Sequence, residues 1–91
     1  MRSNTQSTIF VDMTPAQARA ARALIGMTQG TLAEAAGVSL STVVDFERER
    51  RVVAERSAAA IRAALEAAGV IFIDANGDGA GVRLRKSGIS K

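Results

Sequence analysis

Apolar and polar positions follow no regular interval over the first twelve residues, where Ile9, Phe10 and Val11 make a brief apolar cluster in a polar stretch. This predicts a flexible N-terminal arm over 1–13. Order begins at Thr14-Pro15-Ala16-Gln17: Thr14 can cap a helix, Pro15 suits the first helical position and Gln17 can close a capping box. Ala18, Ala21, Leu24 and Ile25 then fall on one stripe and Gly26 stands where helices end, so a first helix is expected to about Ile25. Thr28 can cap a second helix reaching Ala36, with Leu32, Ala33 and Ala36 inward and Gly37 closing it. Gly30 inside that helix costs up to about 1 kcal/mol relative to Ala. Ser39 can cap a third helix, in which Val43 and Phe46 join Val38 on the buried side. Leu40, Ser41, Val44, Asp45 and Arg48 recur at i, i+1, i+4, i+5 and i+8 and so share the opposite face.

After a charged stretch from Glu47 to Arg51, the spacing of Ile61, Leu65 and Ala68 predicts a fourth helix from about Ala54 to Ala68, ended by Gly69. The period then changes. Val70-Ile71-Phe72-Ile73 is β-prone, Asn76-Gly77-Asp78-Gly79 is turn chemistry, and Val82 and Leu84 alternate with Arg83 and Arg85, which together predict a β-hairpin. The expected architecture is mainly α: four helices over 14–69, a short C-terminal β-hairpin over 70–86 and a flexible tail over 87–91.

Composition narrows the function. At 91 residues the chain holds one domain with a small core, which a partner subunit would help to stabilise. No apolar run approaches the ~20 residues needed to span a bilayer and no secretion-type apolar core follows Met1, so no membrane role and a cytoplasmic location are expected. The absence of Cys and His removes disulfides, thiolate and imidazole metal sites and every histidine-based triad, so neither an enzyme nor a bound cofactor is expected. Asp74-x-Asn76-x-Asp78-Gly79 matches the opening of a calcium loop, but its twelfth position is Arg85 where a bidentate Glu belongs, and its flanks read as strands. No metal site is expected there. The net charge is +3 and ten of the twelve basic residues are Arg, whose planar fork suits phosphates and guanine edges. Both features favour a polyanionic partner.

Met27-Thr28-Gln29-x-x-Leu32-Ala33-x-x-x-Gly37-Val38-Ser39-x-x-Thr42-Val43-x-x-Phe46-Glu47 resembles the two central helices of the Xre/Cro/cI (lambda-repressor-like) helix-turn-helix regulators. Two steeply crossed helices need a small residue at their contact, which Ala33 provides, and a left-handed backbone between them, which Gly37 accepts. The resemblance extends over residues 15 to about 68 and implies a DNA-binding role. By that resemblance, Ser39, Leu40, Ser41, Val44 and Asp45 enter the major groove, Gln29 and Thr42 hold backbone phosphates together with Thr28, and Arg22 pairs with Glu47 structurally. Members of the family often carry Gln, Arg or Asn where this chain has Leu40, Ser41 and Asp45, so bidentate purine contacts are missing from this face. Leu40 and Val44 suit thymine methyls, Ser41 several bases, and Asp45 either a cytosine amine or the orientation of a neighbouring Arg. Arg48, Arg50 and Arg51 are placed to clamp phosphates, or else form a solvated charge run. A glycine usual near Glu49 is absent, so the turn after the third helix is altered or the helix continues.

The apolar strand Val70 to Ile73 leaves an edge that must be paired or covered. This makes Val70, Ile71, Phe72, Ile73, Val82 and Leu84 the expected dimerisation element, unless the hairpin instead folds over its own fourth helix. A twofold dimer sets two recognition helices about 34 Å apart, one turn of duplex, and predicts an inverted-repeat site. The expected function is a homodimeric repressor or autoregulator that binds double-stranded DNA. The alternative is an antitoxin or anti-activator whose partner is a protein held by Leu40, Val44 and the hairpin.

Overall fold

The computed structural model describes residues 13–86. Four helices, α1 (Pro15–Ile25), α2 (Gln29–Ala36), α3 (Leu40–Glu47) and α4 (Glu55–Ala67), precede two strands, β1 (Val70–Ile73) and β2 (Gly81–Leu84). Four helices and a hairpin in this order match the expected mainly helical class. The arm, apart from Met13, and the tail over 87–91 lie outside the described residues. No helix among the described residues is long and apolar enough to cross a membrane.

Local chemistry sets the boundaries. The hydroxyls of Thr14, Thr28 and Ser39, each on an extended backbone, accept the amides of Gln17, Thr31 and Thr42 and so satisfy donors that the first turns of α1, α2 and α3 leave unpaired. Gln17 completes the box by accepting from the Thr14 amide at 2.8 Å. Between α2 and α3 the backbone turns through Gly37 at φ 70°, where the amide of Val38 returns to the Ala33 carbonyl at 3.1 Å. Helix α4 starts at Ala54 without a side-chain cap and stops one residue short of the expected Ala68.

The core joins all four helices to the hairpin. Leu32, Val43, Ile61 and Leu65 are fully buried at its centre, with Ala18, Ala21 and Ala33 allowing the helices close approach. Met13, assigned to the arm by its sequence neighbourhood, is buried in this core. Two positions on the expected inner stripes face out instead. Leu24 is 44% exposed because α1 covers its neighbours with a stripe through Ala18, Ala21 and Ile25, and Ala68 is exposed because it caps α4 rather than extending it. Val38, Ala36 and Phe46 sit half-buried at the core margin.

The two strands pair antiparallel with Val70 opposite Leu84 and Phe72 opposite Val82. Alternation turns Val70 and Phe72 inward, where both belong to the core, while Ile71 and Ile73 are half-buried and Leu84 is 48% exposed. The hairpin therefore folds over its own chain. Val70 and Phe72, expected at a dimer surface, are unavailable to a second chain because α1 and α4 already cover them. Gln17 secures this docking: its buried amide donates to the carbonyls of Ile73 (3.2 Å) and Gly81 (2.9 Å), at the turn end of the ladder. The Arg62 guanidinium lies 4.8 Å from the centre of the Phe72 ring and covers its outer face.

Candidate nucleic-acid interface

Helix α3 carries the expected reading row, and its orientation is set from beneath by a polar anchor. Glu47, on the last turn of α3, is 1% exposed, and its carboxylate accepts Nε of Arg22 at 2.7 Å and Nη2 at 2.8 Å in a two-point contact. Arg22 also donates through Nη1 to the Met27 carbonyl (3.0 Å) in the α1–α2 turn. Gln29, at the start of α2, donates to the same carboxylate at 3.0 Å, and Arg19 donates to the Glu47 carbonyl. One buried carboxylate thus ties α1, α2 and α3 together, with its hydrogen-bonding capacity well filled. The hydrogen bond with Glu47 holds the Arg22 guanidinium above its ordinary value, with burial opposing and charge attraction adding. A cation raised in this way contributes its stability fully below the unfolded-state arginine range and loses it only in more strongly alkaline solution, so the anchor keeps its charge through neutral pH.

Several of the expected contact residues already have partners within the chain. Gln29, expected to hold a phosphate, commits an amide donor inward to Glu47. Asp45 pairs with Arg51, Oδ2 to Nε at 2.7 Å across the end of α3, the arrangement that matches the second of its two expected roles, the orientation of a neighbouring Arg. Ser39, Ser41 and Thr42 form one hydroxyl cluster at the helix start, with Ser39 Oγ 3.1 Å from Ser41 Oγ and 2.8 Å from Thr42 Oγ1. Thr28 spans the start of α2, its hydroxyl donating to Thr31 Oγ1 at 3.0 Å.

The outer side of α3 is open. Leu40 is 52% exposed, Ser41 is exposed and Val44 is half-buried. Arg48 and Arg50 are exposed and make no ion pair with a described residue. The geometry gathers Leu40, Ser41, Val44, the Asp45–Arg51 pair and Arg48 on the side of α3 away from its buried Val43 and Glu47. An exposed helix face carrying apolar, hydroxyl and guanidinium groups, flanked by exposed arginines, fits a groove lined by base edges and phosphates. A family model described as helix-turn-helix, of the Xre/lambda-repressor type, matches residues 19–68, more than half of the chain. The chain belongs to this helix-turn-helix family. Its members are DNA-binding transcription regulators and not enzymes, which in general terms makes this helix-turn-helix protein a DNA-binding transcription regulator. No curated protein matches the chain.

The missing glycine after α3 has a visible consequence. Glu49 adopts φ 56°, a left-handed backbone, while the amides of Glu49 and Arg50 return to the carbonyls of Phe46 (3.2 Å) and Asp45 (2.9 Å). The helix ends in the turn that a glycine would favour, with a side chain that resists it by roughly 1–2 kcal/mol. Glu49→Gly is expected to raise stability by up to about 1 kcal/mol, since glycine's larger unfolded-state entropy offsets part of the relief. A urea titration checks it, and a lowered midpoint with an unchanged slope contradicts it.

Proposed function

We propose that this helix-turn-helix protein is a repressor or autoregulator that acts in the cytoplasm as a homodimer, reading an inverted repeat in double-stranded DNA with α3 in the major groove. The observation that carries this reading is the exposed row on α3, held outward by the buried Arg22–Glu47 anchor. Leu40 and Val44 meet thymine methyls and Ser41 adapts to several bases, while Thr28, Thr42, Arg48 and Arg50 contact the backbone, which is approached also by the amides at the start of α2. The dimer is supported by the apolar positions that the hairpin leaves uncovered: Leu84 is 48% exposed, and Ile71 and Ile73 are half-buried. Both strands of a two-stranded sheet also keep one unpaired edge.

The test is a binding titration over several salt concentrations, on a duplex selected from a randomised pool and on random duplex. The selected duplex should bind at least about a thousandfold more tightly. Leu40→Ala should change which sequence is preferred, whereas Arg50→Ala should weaken all duplexes alike and lower the salt slope by about one. Equal affinity for selected and random duplex overturns the reading. A chain that remains monomeric on its selected site overturns the homodimer.

A further inference from the structure

Arg48, Arg50 and Arg51 leave α3 together, yet among the described residues only Arg51 is held by a carboxylate. Its Nε donates to Asp45 Oδ2 at 2.7 Å, while its side chain remains 54% exposed and Nη1 and Nη2 make no hydrogen bond to a described residue. The partner matters as much as the bond. Asp45 lies on the reading row of α3, so the pair carries the guanidinium of a loop residue onto the helix face that itself lacks a bidentate purine reader.

Charge and geometry give Arg51 a different task from its neighbours. A phosphate attracts net charge, and an arginine already neutralised at 2.7 Å offers the polyanion little. A guanine edge instead requires two donors in a fixed plane, aimed at O6 and N7, and an arginine fixed through Nε keeps its two terminal nitrogens available in that arrangement. The same pair accounts for an acid on a DNA-facing helix, since an unpaired carboxylate there would repel the duplex. We propose that Arg51 reads a guanine in the major groove and that Asp45 is the positioning residue that aims it. This rests on the reading of α3 as the groove helix, and it moves Arg51 out of the phosphate contacts and Asp45 out of the base contacts.

The experiment uses the full chain and a duplex selected from a randomised pool, with each guanine replaced in turn by 7-deazaguanine, which lacks the N7 acceptor. For the wild type, one replacement per half-site should weaken binding by at least about fivefold. Arg51→Ala should lose a similar factor on the unmodified duplex, become indifferent to that replacement, and keep the wild-type salt slope. Asp45→Ala should bind random duplex as well as or better than the wild type, because a negative charge is gone, and yet lose most of its sensitivity at the same guanine. The assignment is overturned if no guanine is sensitive, if Asp45→Ala retains full sensitivity, or if Arg51→Ala weakens all duplexes equally with a salt slope lower by about one. If no duplex is preferred by the wild type, the groove reading itself fails, an outcome distinct from each of these.

Discussion

Arg22→Ala is expected to destabilise the domain by about 3–5 kcal/mol and to abolish DNA binding without removing any contact to DNA. The asymmetry of the pair explains the size. The side chain of Arg22 is 21% exposed and can reach water, whereas that of Glu47 is 1% exposed and cannot. Removing the arginine leaves a buried carboxylate with Gln29 as its remaining side-chain donor and also releases the α1–α2 turn from Nη1. Glu47→Gln should be milder, because the amide preserves the shape and the stranded cation can hydrate. Urea unfolding of the two variants checks the order. Equal small losses, below about 1 kcal/mol, would show that the anchor contributes little.

Phe72→Ala should cost about 3–5 kcal/mol, a large part of the stability of a domain this small. The ring belongs to the core where α4 meets the hairpin, with the Arg62 guanidinium over it, so its removal leaves a cavity there. Its loss should unfold the helices and the hairpin in one transition, because Val70 and Phe72 share a core with Leu32 and Ile61. Circular dichroism and hairpin amide exchange followed together would show this. Two separate transitions, with the helices melting at the wild-type temperature, would make the hairpin an appendage.

The helical part of the fold was legible because its signals are local. Thr14, Thr28, Ser39 and Gly37 act within a few residues of themselves, and the spacing of Leu32, Val43, Ile61 and Leu65 requires only a helical period. The β-strands were legible for the same reason, but the destination of the hairpin was not. The apolar run Val70 to Ile73 says that the strand must be covered, and cannot say by which chain. Gln17 was read only as a capping residue; its contact with Ile73 and Gly81 joins positions far apart in sequence, for which local chemistry has no sign. Within the site, the row on α3 follows from periodicity, whereas the Asp45–Arg51 pair depends on the tight turn at Glu49 that brings the loop back over the helix. Arg19 lies one turn before Arg22 on α1, and that shared face was the available signal for its contact with Glu47.

On the function proposed above, the outer row of α3 occupies the major groove. The chain has no cysteine, so a single one can carry a cleavage reagent at a chosen position. With an iron chelate on Ser41→Cys, strand scission should fall at the base pairs of each half-site and spread from the major groove, while the same reagent on Ala63→Cys, exposed on α4, should leave those positions intact. Scission that is absent from Ser41→Cys while a selected duplex is bound, or that is stronger from α4, would rule out α3 as the groove helix.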